Sequence, residues 1–139
     1  MNETYSWKFS TTSGMAWASM LESCKNAKKS IDLEQYIFGG GSIERTFADI
    51  FLADVLAKMY FKRLLRQGVR IFLYTGEILH SKSIVIDDHW ASLGSCNFDW
   101  LSFWINYELN VLSTNQHFAV ELRSIFLQDI EKSEEIFLT

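Results

Sequence analysis

Proline is missing altogether from this chain, an unusual feature in a domain of 139 residues, and cysteine occurs only twice. Cys24 and Cys96 have no metal-ligand spacing, and a reduced intracellular compartment is the reading such cysteine usage favours. No apolar run approaches the ~18 residues that a membrane-spanning helix needs, so any membrane contact is expected to be peripheral. Met1-Asn2-Glu3 lacks the basic start and the apolar stretch of a secretory leader. A basic excess is lacking too: 13 Lys and Arg stand against 17 Asp and Glu, a net charge of −4. That argues against a strong field for nucleic acid, which clustered Lys and Arg recruit, while leaving room for a local basic pocket. The expected location is the cytoplasm or the inner face of a membrane, with no transmembrane segment.

What the chain does have is core-forming material. Hydrophobic residues make up 48% and aromatics 15%, enough for one domain with a real interior. Residues Thr12 to Lys28 read as a helix with Trp17, Leu21, Cys24 and Ala27 on one face. Ser30 to Phe38 reads as a strand, followed by Gly39-Gly40-Gly41-Ser42. Ile43 to Gln67 reads as a long helix with Gly68 as its stop. Strands are expected over Val69 to Thr75, Leu79 to Ile86, Trp90 to Leu93 and Tyr107 to Ser113, with an Asp87-Asp88 turn in the central hairpin. Asn115 to Lys132 reads as a final helix, apolar at Phe118, Leu122, Ile125 and Phe126. Alternating helices and strands of this kind predict an α/β layered fold.

Three pieces of sequence carry candidate chemistry. His80 and Lys82 are two apart, so a strand would point an imidazole and an ammonium to one face. Neither is informative alone, but a basic pair beside the hydrophobic run Ile84-Val85-Ile86 is costly to build for packing only. Gly94-Ser95-Cys96-Asn97 follows as a turn whose Ser95 and Asn97 could donate to phosphoryl oxygens, although Gly, Ser and Asn are also ordinary turn residues. Glu108 faces away from Tyr107, Leu109 and Val111, where a carboxylate could orient a histidine.

Together, His80-x-Lys82-x4-Asp87, Gly94-Ser95-x-Asn97 and Glu108 resemble the signature of the phospholipase D superfamily. The stretch from His80 to Ser113 is similar to the C-terminal half of bacterial cardiolipin synthases, through Asp87-Asp88-His89-Trp90, Asn97-x-Asp99-x-x-Ser102 and Asn106-x-Glu108-x-Asn110. The resemblance implies a phospholipase D-like single-repeat domain with a mixed sheet flanked by helices. It implies that His80 attacks phosphorus to form a phosphohistidine, that Lys82, Ser95 and Asn97 hold the non-bridging oxygens, and that Glu108 hydrogen-bonds His80. Asp87 is expected to be structural, tying its strand end to a neighbouring loop. Neither metal nor cofactor is implied, because paired lysines supply the positive charge.

The chain departs from that family in carrying one motif where the site needs two. His89 and His117 lack the lysine and read as surface residues. A homodimer with paired His80 residues would restore the site. The Gly39–Ser42 segment has linker composition, and residues 1–38 resemble the start of a first half whereas residues 43–139 resemble a second half. The whole is thus expected to be one domain, read either as an abridged or engineered joining of the two or as a chain with a natural glycine turn at Gly39–Ser42. Trp100, Phe103 and Trp104 could either line the mouth of the site against lipid or fill the core. Three functions follow: phosphatidyl transfer or hydrolysis on a phosphatidylglycerol-type phospholipid, a homodimeric phosphodiesterase acting on nucleic acid, or a scaffold that keeps the motif without turnover.

Overall fold

The computed structural model describes residues 6–35, 61–76, 79–96 and 108–138. Its main sheet contains β1 (Trp7–Ser10), β2 (Ile31–Gln35), β4 (Lys82–Ile86), β5 (Trp90–Gly94) and β6 (Asn110–Ser113), in the order β1-β6-β5-β4-β2. A second, two-stranded sheet pairs β3 (Ile71–Tyr74) with β7 (Ser133–Ile136). The α/β class is as the sequence predicts. Where a mixed sheet was expected, every described pairing is antiparallel.

Helix α1 (Ser13–Asn26) covers one face of the main sheet and helix α2 (Gln116–Glu131) the other. The alternation of β4 makes this possible. Ile84 and Ile86 point to Ala16 and Met20 of α1, while Val85 joins Ala91 under Ala119 and Leu122 of α2. All five residues of β4 are buried, which is why its sequence is a continuous apolar run after the first two positions.

Helix ends follow local rules. Asn115 caps α2, its side-chain oxygen accepting the Phe118 N–H at 3.1 Å. Residues 61–66 are helical, and Gly68 ends that segment at φ +83°. The N–H groups of Gly68 and Val69 reach back to Leu65 O and Leu64 O, the two bonds of a Schellman stop. The rest of the expected Ile43–Gln67 helix, Gly39–Ser42 and the end of the Ser30–Phe38 strand lie outside the described residues.

Several expectations shift. The buried stripe of α1 is Ser13, Ala16 and Met20, with Trp17, Cys24 and Ala27 beside it, and Leu21 is exposed. Small residues let the helix approach the sheet, so size alone misidentifies the inward face. The strand expected from Leu79 begins at Lys82, and the one expected from Tyr107 begins at Asn110. The strand expected over Val69 to Thr75 is the shorter β3, and Val69 and Leu73 are exposed. Ile125 of α2 is likewise exposed.

The β4–β5 hairpin turns through Asp87 and Asp88, at φ 53° and 61°, with His89 N–H donating to Ile86 O. Two central residues at positive φ define a type I′ turn, which matches the twist of a hairpin. Asp87 then does the joining expected of it. Its carboxylate accepts the N–H groups of Lys28 and Lys29 at 2.6 Å each and of Ser30 at 2.8 Å. The Ser30 donor foremost, with those of Lys28 and Lys29, holds the carboxyl below the usual range. Asp88 is held by Arg123 at 2.7 Å, whose Nε lies 3.0 Å from Asp32, so the turn is fastened to α2 and β2 as well.

Asp87→Asn tests this joint. Asparagine accepts positive φ well, but its amide sets an NH2 against an N–H donor. We expect the melting temperature at neutral pH to fall by roughly 5 °C. The folded-state pKa is depressed, so the carboxylate's contribution is present above the unfolded value of about 3.9 and is lost as pH falls through the lower folded value. The gap between parent and variant should therefore narrow in strong acid, as denaturation followed at both pH values will report.

Candidate active site

The site forms where β4 begins, β5 ends and β6 begins. The pair Ser83↔Leu93 brings Lys82 level with Gly94, and Gly94 is paired with Asn110. By alternation, Lys82, Ser92, Asn110 and Glu108 share the α1 face of the sheet. Polar groups thus gather at one end of a face whose other end is Ile84, Ile86 and Leu112.

Lys82 is buried while His80 is exposed ahead of the strand. The Lys82 ammonium lies 3.3 Å from His80 Nδ1, 3.2 Å from Nε2 and 3.4 Å from the His80 carbonyl oxygen. An ammonium can only donate, so a ring nitrogen that accepts from it must carry a lone pair. A bare ring nitrogen is also what a nucleophile requires. Burial pushes the Lys82 pKa down, and the charge of Glu108 opposes that shift. Glu108 is itself buried at the mouth of β6. One small end of the sheet therefore holds an ammonium, a carboxylate and an imidazole.

Ser95 is fixed by the backbone. Its N–H donates to Leu109 O at 3.1 Å, and its hydroxyl oxygen accepts the Leu109 N–H at 3.0 Å. Accepting that bond orients the hydroxyl and leaves its hydrogen to donate outward. Asn97 lies outside the described residues, as do Trp100, Phe103 and Trp104. His89 is exposed, its Nδ1 3.0 Å from Asp87 O, and His117 is exposed on α2. Asp87 is at the opposite end of β4 from His80, so its part is architectural. The groove of about 270 Å³ lined by Glu22, Asn26, Asp87, His89 and Trp90 is at that same far end and is separate from the His80–Lys82 cluster. No group of three or more metal-ligating side chains occurs among the described residues. Among the described residues, too, no helix is long and apolar enough to cross a membrane.

Two buried polar residues near this cluster, to which the sequence assigns no role of their own, have defined partners. Asn110 is buried, donates to Ser92 Oγ at 3.1 Å and accepts the Cys96 N–H at 3.1 Å. It thereby holds the backbone of the Ser95–Cys96 turn. Its sequence signal is an asparagine, a poor strand former, at an inward strand position two after Glu108. Glu34 is buried in β2 and accepts hydroxyl bonds from Ser81 at 2.8 Å and Ser83 at 3.1 Å. Burial pushes its carboxyl up, the Ser81 hydroxyl opposes that, and the neighbouring Asp129 adds to it.

Comparison with known proteins finds relatives in sequence and in fold. A family model described as "Cardiolipin synthase, PLD-like domain" matches residues 43–130. Cardiolipin synthase A of Wigglesworthia glossinidia brevipalpis is 35% identical over 79 residues, 57% of this chain and 16% of that protein. A cardiolipin synthase of Staphylococcus aureus is 42% identical over 73 residues, 52% of this chain and 15% of that protein. The chain thus spans about a sixth of the length of these curated relatives. In fold it is similar to Nuc from Salmonella typhimurium, a phospholipase D family member, with TM-score 0.68 at 20% identity over 97% of this chain and 99% of that one. NucT from Helicobacter pylori also has TM-score 0.68, at 16% identity over 95% and 99%.

Proposed function

The chain belongs to the phospholipase D-like domain family of cardiolipin synthases, and from that membership we propose that it carries half of a phosphodiester-transfer site, completed by a second copy. The observation that carries this reading is the buried Lys82 ammonium 3.2–3.3 Å from both ring nitrogens of His80, beside the Ser95 turn. The ring nitrogen of His80 attacks phosphorus. The bond from phosphorus to the leaving alcohol breaks, and the partner's His80 gives that oxygen a proton. In the second half, the acceptor alcohol or water returns a proton to the partner's His80 and attacks phosphorus, breaking the P–N bond. Lys82, Ser95 and Asn97 hold the non-bridging oxygens, and Glu108 supports the charged imidazole. Asp87 contributes by holding the strand that carries the pair.

The substrate reading is a phospholipid of phosphatidylglycerol type, met at a membrane surface, with phosphatidyl transfer or headgroup hydrolysis as the reaction. Similarity to cardiolipin synthases supports it. A homodimeric phosphodiesterase acting on nucleic acid is the second reading. What favours it is the near end-to-end match to a solved single chain of the superfamily. We also read the chain as one domain in which residues 1–38, a Gly39–Ser42 linker and residues 43–139 derive from two halves. The start of the family match at residue 43 supports that division.

The test is a parallel assay of the purified chain on phosphatidylglycerol vesicles and on single-stranded DNA, with acid-quench trapping of phosphorylated protein. We expect turnover of lipid, an acid-labile phosphoprotein absent from His80→Ala, and light scattering at dimer mass. Because two histidines, two lysines and two Glu108 residues would share one site, the rate should follow a bell-shaped pH profile set by the group as a whole. Turnover of DNA alone would favour the second reading. A well-folded chain inactive on both would leave a scaffold that keeps the motif without catalysis.

A further inference from the structure

The alternation that turns His80 and Lys82 to one face turns Ser81 and Ser83 to the other. On that other face both hydroxyls meet a single carboxylate, Glu34, at 2.8 and 3.1 Å. Glu34 sits opposite Ser83 in the β2–β4 register and is only 7% exposed. Packing does not call for it. A buried carboxylate costs free energy unless well supplied with donors. Among the described residues no hydroxyl or N–H group donates to Glu34 Oε1, and the neighbouring Asp129 carboxyl pushes the Glu34 pKa up rather than relieving its burial. An apolar β-branched residue, like Val85 on the same face, would fill the space under α2 without that cost.

What the carboxylate does reach is the segment that most needs holding. The ladder of β4 starts at Lys82. His80 and Ser81 precede it, so the backbone from which the imidazole projects lies beyond the β4 ladder. The Ser81 hydroxyl donates to Glu34 directly between the two motif residues.

We propose that Glu34 is a positioning residue for His80: from the α2 side of the sheet it clamps Ser81 and Ser83, and so fixes the backbone from which His80 and Lys82 project on the other side. The proposal rests on the phosphodiester reading for its consequence in turnover, but not for its physical content. An imidazole attacking phosphorus must be held in line with the leaving oxygen, and misplacement by about 1 Å costs on the order of a hundredfold in rate.

The experiment uses the full 15N-labelled chain in four forms: parent, Ser81→Ala, Glu34→Ala and Glu34→Gln. Glutamine keeps an oxygen acceptor for the serines and is the conservative control. In the parent, the amides of His80 and Ser81 should have order parameters near the rigid value of about 0.85, and in Ser81→Ala and Glu34→Ala they should fall below about 0.6. Ile84, Val85 and Ile86 should keep their values in all forms. On whichever substrate the parent turns over, Ser81→Ala and Glu34→Ala should each lower kcat by about a hundredfold with KM within roughly twofold, and Glu34→Gln should keep most of the parent rate. Mobile parent amides at 80 and 81, or order parameters unchanged in Ser81→Ala, would overturn the clamp. Because Glu34→Ala empties a buried position and could unfold the chain, Ser81→Ala alone is sufficient to decide. A parent inactive on every substrate would sink the phosphodiester reading, while the relaxation data would still decide the clamp.

Discussion

Replacing His80 with asparagine is expected to reduce turnover by roughly four orders of magnitude or more, while leaving the fold in place. The two halves of that expectation have separate causes. His80 is exposed and precedes the first ladder residue of β4, so its side chain contributes little packing. Asparagine keeps a hydrogen-bonding group near the Lys82 ammonium, and stability should change by less than about 1 kcal/mol, as at sites away from packed cores. The proposed chemistry has no substitute. Asparagine cannot form the phosphorus–nitrogen bond, and His89 and His117 lie elsewhere without a lysine beside them. Glu108→Gln should cost less, because the nucleophile survives while its charge support weakens. Chemical denaturation of each variant alongside its rate separates the two effects. An unfolded His80→Asn chain would make the histidine structural, and an active one would assign the turnover to another protein in the sample.

Gly94→Ala should be the most damaging single methyl group that can be added at this end of the sheet. A Cβ at Gly94 would press on the Leu109 carbonyl oxygen and stand 2.5 Å from both Cγ and Oδ1 of Asn110. Those are the groups that hold the Ser95–Cys96 turn, so they cannot move aside without loosening it. The expected loss is about 3 kcal/mol, at the upper end for overpacking, or roughly 10 °C in melting temperature. Adding Asn110→Ala to Gly94→Ala should recover only part of this, since the Leu109 oxygen is backbone and stays where it is. Thermal unfolding of the two single variants and the double variant gives the answer. Full recovery in the double variant would mean that only the asparagine side chain is in the way.

The motif was legible because its chemistry is written in short spacings. His80-x-Lys82 states a shared face, Gly94 states a turn at a strand end, and Asp87-Asp88 with apolar runs on either side states a hairpin. The helix ends at Asn115 and Gly68 were legible for the same local reason. What depended on distant contacts was not. The inward stripe of α1 was misread because Ala16 and Ser13 are buried by closeness to the sheet, not by their own hydrophobicity. β1 and β7 went unnoticed because four residues such as WKFS or SEEI become strands only when β6 or β3 offers a partner. Glu34 looked like one more acid in a strand. Its meaning comes from Ser81 and Ser83, 47 and 49 residues away.

The strand order has a consequence for how the molecule can fail. β4, β5 and β6 follow one another as a meander, a local arrangement that can assemble early. β1 and β2 come from a single short stretch at the other end of the chain, yet they lie on opposite borders of the described sheet, with α1 crossing between them. One detachable strap therefore seals both borders at once. Should residues 7–35 peel away together, the Asn110–Ser113 and Lys82–Ile86 strands would each present an open row of backbone donors and acceptors, the second flanking the apolar run Ile84-Val85-Ile86. Exposed rows of that kind pair readily with other chains. Self-association by such a route would begin with the loss of the strap, and the Asp87 carboxylate, gripping Lys28, Lys29 and Ser30, is the bolt that delays it.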